Sequence, residues 1–338
     1  MRTIHRLLAW MLLGASTACS PGPGNEGSAG ADAQAGSDAQ AGAEAQTGSA
    51  VQAGSPAELE RLEVMSDGHP LAIWARVPTQ PQAVVLLLHG RTWSSLPDFD
   101  LQVEGESLSL MEALAERGIA TYALDARGYG DTPRDDTGWL NPDRMADDVV
   151  SVLEWLAERH PGHRAPAVMG WSYGATVAHL TAQRHPDRVS GVALHGYWKH
   201  PDRVAPPAET SGDPPRTATT EEGARSDFIV EGSISERAVD AFVAAALASD
   251  PVRADIRRIH EFNALSPDSL LSPTLILQGE FDPIAPTDAQ AVLFARLGTA
   301  HKAWVVLPGC DHAAHLEVCM PRFVRALSGF VLEVAGRE

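Results

Sequence analysis

The 338-residue sequence predicts an α/β fold built on a mostly parallel sheet. Three observations carry this reading. Continuous apolar runs recur along the chain: AVVLLLHG (83–90), IATYALD (119–125), APAVMG (165–170), VSGVALHG (189–196), PTLILQG (273–279) and KAWVVLPG (302–309). Such runs suit strands buried on both faces. Segments with helical spacing separate most of them, which implies βαβ units under one sheet. Apolar residues make up 44% of the sequence, so a fully disordered chain is excluded.

Residues 1–18 have the form of an export signal. Arg2 and Arg6 give a positive start, LLAWMLLG an apolar run, and Ser16-Thr17-Ala18 a small-x-small cleavage site. Eight apolar residues span about 12 Å as a helix, too short for a bilayer core of about 30 Å. With Cys19 next, the segment resembles a bacterial lipoprotein signal, which implies lipidation of Cys19 and membrane attachment. Cleavage by a general signal peptidase is the alternative, and both routes begin the mature chain at Cys19. Ser20 is not Asp, so the same resemblance leaves a periplasmic or outer-membrane destination open. Residues 19–56 form a low-complexity stretch with an imperfect hexapeptide, AGADAQ, AGSDAQ, AGAEAQ and TGSAVQ. Almost nothing in it can build a core, so a disordered tether is expected, with an end-to-end distance of about 35 Å.

The folded part is expected from 57 to 338. Two alternating runs around Asp67-Gly68 read as a β-hairpin. SLMEALAERG (109–118) has helical spacing and ends in Gly, and Asn141-Pro142-Asp143 starts a helix running to about His160. GATVAHLTAQRH (174–185), 287–297 and 322–334 read as further helices. The rhythm breaks over 197–267. Its first half is too rich in Pro and polar residues for a strand. Its second half, SERAVDAFVAAALASD then PVRADIRRIHEF, reads as two helices. The insertion is expected to cap the carboxyl ends of the strands, where open α/β sheets bind ligands.

The formal charge is −18. That argues against nucleic acid, because phosphate binding needs clustered Lys and Arg, and against recruitment by charge to anionic lipid heads. No H-E-x-x-H or C-x-x-C occurs, so no metal or other cofactor is expected.

Gly170-Trp171-Ser172-Tyr173-Gly174 is G-x-S-x-G between an expected strand and an expected helix, the context of a nucleophile elbow. A serine hydroxyl needs a base, and the base an orienting acid. Asp282 follows the strand PTLILQG and is the candidate acid, with Glu280 and Asp202 as rivals. His312 follows the last strand and is the candidate base. Its rival His315 is expected to enter the last helix and pack there. Asp311 is expected to be exposed. His89 is read as structural, and His195 and His200 as lining or satisfied residues. The backbone N–H groups of Arg91 and Tyr173 are the candidate oxyanion donors. Trp93 and Trp171 are candidates for the substrate pocket, as an apolar acyl wall, or simply pack under the cap. Cys310 and Cys319 bracket His312; a disulfide and two free core thiols both fit.

The motifs HG (89–90), D-x-R-G-x-G (125–130), G-x-S-x-G (170–174), G-E-x-D (279–282) and H-x-x-H-L-E (312–317) resemble those of the α/β-hydrolase superfamily. The resemblance covers 57–338. It implies an eight-stranded, mostly parallel sheet with a cap after the sixth strand, and Ser172, Asp282 and His312 as catalytic residues. Hydrolysis of small to medium carboxylic esters is the leading expectation. An aminopeptidase or amidase is the alternative, for which Glu221, Glu222, Glu231 and Glu236 could take an amine. A tethered, inactive binding protein is the third reading.

Overall fold

The computed structural model describes residues 57–207 and 212–336. The export signal, Cys19 and the tether lie outside the described residues.

An eight-stranded sheet forms the centre. Its strands are β1 (Leu59–Ser66), β2 (His69–Arg76), β3 (Ala83–Leu88), β4 (Ile119–Leu124), β6 (Ala167–Trp171), β7 (Val192–His195), β9 (Thr274–Gly279) and β10 (Lys302–Leu307). Their order is β1-β2-β4-β3-β6-β7-β9-β10. The hairpin β1–β2 and the β2–β4 pair are antiparallel; the rest are parallel. Asp67 and Gly68 turn the hairpin with positive φ at both positions, as a tight two-residue turn requires. A short pair, β5 (Trp139–Leu140) and β8 (Asp255–Ile256), stands apart.

Every residue of β3, β4, β6, β7 and β9 is buried. Alternate side chains feed two cores: Val84, Leu86 and Leu88 join one face, and Ala83, Val85 and Leu87 the other. That is why these strands read as unbroken apolar runs. Helices α1 (Ser95–Phe99), α2 (Leu110–Ala115), α3 (Pro142–Arg159), α4 (Tyr173–Arg184), α7 (Thr287–Arg296) and α8 (Met320–Ala335) connect or follow the strands. Asn141 caps α3 by accepting from Arg144 N, with Pro142 in the first turn. Ser109 caps α2 in the same way.

Between β7 and β9 the chain leaves the sheet. It forms α5 (Glu221–Arg225) and α6 (Glu236–Ser249). Phe242 and Val243 of α6 join Trp93, Leu101 and Leu316 of the main body in a third cluster. The stretch 251–264 corrects the sequence reading: it is not a second α-helix. Arg253 N pairs with Thr217 O, Asp255–Ile256 pair with Trp139–Leu140, and only a 3-10 helix follows at Ile259–Ala264. Pro251 opens it, and Arg134 Nη1 holds Asp255 at 2.7 Å. Long-range pairing here overrides local helical spacing.

The D-x-R-G-x-G loop is locked from below. Arg127 places two nitrogens on Asp148, at 2.7 and 2.8 Å, and both side chains are nearly inaccessible. Removing one partner of such a pair strands a buried charge. Asp148→Ala is therefore expected to lower unfolding free energy by about 3–5 kcal/mol, read from urea denaturation. A loss under about 1 kcal/mol would contradict this role.

Candidate active site

The site starts from a topological reversal. From β3 the chain moves to β4 on one side; it later returns to β6 on the other. In register, Leu88 pairs with Gly170, so the loops after β3 and β6 leave the sheet side by side. Such a switch point opens a crevice at the carboxyl ends of the strands.

Ser172 stands in the turn from β6 into α4 with φ 54° and ψ −111°. A non-glycine residue held there stores about 1–3 kcal/mol of strain. The turn closes only because its flanks lack side chains. A Cβ on Gly170 would lie 2.2 Å from Gly174 O, and one on Gly174 would lie 2.2 Å from Leu88 O. Ser172 N donates to His195 O at 2.8 Å. The residue is buried, with 6% of its surface exposed.

The loop after β3 is held at nearly every step. Ala126 N donates to His89 Nε2 at 3.1 Å, so the proton sits on Nδ1, which donates to Gly90 O at 2.8 Å. Burial lowers the His89 pKa and favours this neutral form. Gly90 N donates to Asp98, Ser94 N to Asp250 and Ser95 N to Asp125. Tyr129 Oη donates to Arg91 O. The Arg91 and Tyr173 N–H groups have no partner among the described residues.

The structure brings Asp282 and His312 together. Asp282 Oδ2 lies 2.8 Å from His312 Nδ1. Its Oδ1 accepts from Ile284 N and Ala285 N at 2.8 and 3.0 Å. Burial would raise the Asp282 pKa; the His312 charge and these donors outweigh it and hold it low. Burial would likewise lower His312. The Asp282 carboxylate outweighs that, helped by Asp227 and Asp311, and raises His312 above its ordinary value.

Several candidates fall elsewhere than expected. Asp311 is fully buried rather than exposed. Its Oδ2 accepts from Ile229 N and Val230 N of the insertion at 2.8 and 2.7 Å. Its own N–H donates to Glu317 at 2.8 Å, and Glu317 accepts from Ser233 Oγ at 2.9 Å. Burial and the Asp311 charge push Glu317 up to about 8. Trp171 packs in the core, and its indole N–H donates to His312 O at 2.8 Å. Trp93 is also buried and donates to Asp227 at 2.6 Å. His315 lies in the turn before α8, against Trp171 and His195, and does not enter the helix. His195 is buried, with Nδ1 on Leu277 O. His200 accepts from Asp202 N.

Glu280 accepts from Gly309 N, and Asp202 pairs with Arg296 at the surface. Glu221, Glu222, Glu231 and Glu236 are exposed. Asp227 is the carboxylate of the insertion that acts on His312, and burial pushes it up to about 6. No periodicity or motif marks Asp227, Asp98 or Asp250 in the sequence. Among the described residues no cluster of His, Cys, Asp and Glu could hold a metal ion, and no helix is long and apolar enough to cross a membrane.

A parallel sheet carrying Ser172, Asp282 and His312 on three loops at its carboxyl edge has the architecture of an α/β hydrolase. Residues 85–327 match the alpha/beta hydrolase family, and the chain belongs to it. The chain is 23% identical over 273 residues to the Schizosaccharomyces pombe protein named "Putative monoglyceride lipase", covering 72% of this chain and 65% of that one. It is 26% identical over 276 residues to the biotin biosynthesis bifunctional protein BioHC of Teredinibacter turnerae, covering 71% and 44%. It thus spans less than two thirds of either relative. A thermophilic esterase from Thermogutta terrifontis shares the fold, with TM-score 0.58, 19% identity, and coverage of 82% and 99%.

Cys310 and Cys319 are joined by a disulfide that closes the His312 loop. Closing a loop of about ten residues stabilises by about 2–3 kcal/mol through the unfolded chain. Reduction by dithiothreitol is expected to lower the unfolding free energy by that amount, seen as a lower urea midpoint. An unchanged midpoint after verified reduction would contradict it.

Proposed function

We propose that the protein is a serine carboxylesterase acting on small to medium acyl esters. The observation that carries this is the His312–Asp282 bond at 2.8 Å, in a fold that holds Ser172 on a strained turn at the same sheet edge. His312 Nε2 takes the Ser172 proton as Oγ attacks the ester carbonyl. The Nδ1–H stays on Asp282, whose charge stabilises the imidazolium. The unpartnered Arg91 and Tyr173 N–H groups receive the oxyanion. His312 then protonates the leaving alkoxide, the acyl group remains on Ser172, and water activated by His312 releases the acid. The reading needs no cofactor.

The four cap glutamates do not support an amine site, since they face solvent. We further propose that the enzyme is exported and anchored by a lipid on Cys19, in the periplasm or at the outer membrane. This rests on residues 1–19. A disulfide in the folded part supports an oxidising compartment.

Ser172→Ala is expected to retain its circular dichroism and lose at least ~10³-fold in kcat on 4-nitrophenyl butyrate. A folded, fully active variant would overturn the reading. His312 must be neutral to act as base, so activity rises with pH through its raised pKa. Asp282→Asn removes the charge that holds it up. The residual activity should be ~10³–10⁴-fold lower, with its acidic limb moved to lower pH. An unmoved limb would show that His312 is not the titrating base.

A further inference from the structure

Arg91 is half-buried, and its charge goes uncompensated within the fold. Its Nε is shut off from solvent and has no hydrogen-bond partner, and no carboxylate pairs with its guanidinium among the described residues. Other enclosed arginines are treated differently. Arg76 sits on Asp100 at 2.8 Å, Arg127 on Asp148 at 2.7 Å and Arg134 on Asp255 at 2.7 Å. A buried Nε–H left without an acceptor is costly, and no contact within the fold offsets it.

A second half-buried cation, Arg253, lies on the stretch of the insertion that is tied to the Arg91 loop. Asp250 accepts from Ser94 N and Gly130 N, which ties the stretch after α6 to the Arg91 loop. Arg134 Nη2 donates to Arg253 O and fixes the same stretch. Arg253 has no ion pair among the described residues, and its charge acts on both Arg91 and Asp227. Tyr173 Oη, buried and without a partner, also lies within electrostatic reach of Arg91. Tyr129 Oη holds the Arg91 carbonyl in place. Two unpaired cations and an idle hydroxyl thus lie on neighbouring segments beside the amide that would receive the oxyanion.

We propose that Arg91 and Arg253 form a carboxylate subsite, and that the preferred substrates are esters bearing a second, anionic group near the scissile bond. This rests on the hydrolase reading above. A carboxylate between the guanidiniums relieves their repulsion and takes charge-assisted hydrogen bonds from both, and Tyr173 Oη can add a third. Arg91 belongs to the loop on β3 and Arg253 to the insertion, so an anion bound between them also ties the insertion down over Ser172. A neutral ester leaves both charges unmatched.

The test compares matched ligands. 4-Nitrophenyl hexanoate and mono-4-nitrophenyl adipate differ by a carboxylate on the acyl side. Methyl 4-acetoxybenzoate and 4-acetoxybenzoate differ by one on the leaving group. The decisive variant is Arg253→Gln. In at least one pair, the wild-type preference for the anionic member in kcat/KM should exceed that of Arg253→Gln by about tenfold or more. Arg253→Lys should restore part of it. Calorimetric binding of the same pairs to Ser172→Ala, with and without Arg253→Gln, supplies a readout free of turnover. Selective anion binding there without wild-type turnover would refute the hydrolase reading and leave the subsite standing. Turnover with the same preference in wild type and Arg253→Gln, in both pairs, would overturn the subsite.

Discussion

The contact on which the site depends is the approach of the elbow to the end of β3. Gly174 sits so close to Leu88 O that no Cβ fits, and Gly170 is equally close to Gly174. This packing drives Ser172 into its strained conformation and sets the start of α4 beside the Arg91 loop. The same rule recurs across the crevice. A Cβ on Gly279 would lie 1.9 Å from Asp311 O, so the loops after β9 and β10 touch backbone to backbone. Asp282 therefore reaches His312 without a long side chain. Precision comes from the rigid sheet ends, and loops only bridge the last few ångströms.

Two buried acidic networks then do different work. Asp98, Asp125 and Asp250 accept backbone N–H groups from the loop after β3 and keep it from rearranging. Burial pushes Asp98 well above the usual carboxylate range and also raises Asp250. Asp311 and Glu317 instead clamp the insertion to the His312 loop, inside the ring closed by the Cys310–Cys319 disulfide. The nucleophile is thus fixed by steric exclusion. Its base is fixed by charge-assisted hydrogen bonds, which strengthen where water is excluded.

Much of the fold is legible in the residues, because buried parallel strands must be apolar throughout and tight turns must be glycine. Runs such as AVVLLL and the pair Gly170/Gly174 are direct imprints of those constraints. The insertion is less legible. Residues 251–264 have helical spacing, yet Asp255 meets Arg134, 121 positions away in the chain, and the segment straightens. Asp311 reads as a surface charge until the amides of Ile229 and Val230 are seen to satisfy it. Trp171 reads equally as a pocket wall or a packed side chain until its indole is found on the carbonyl of His312. In each case the missing information is a partner distant in sequence, and such pairing leaves no local period.

The central claim is that Ser172 is an activated nucleophile. The most direct measurement is reaction of the folded protein with a fluorophosphonate, followed by mass mapping of the modified peptide. A single adduct on Ser172, much slower to form in His312→Ala, is the predicted result. No adduct in folded protein, or one placed on another serine, would contradict it.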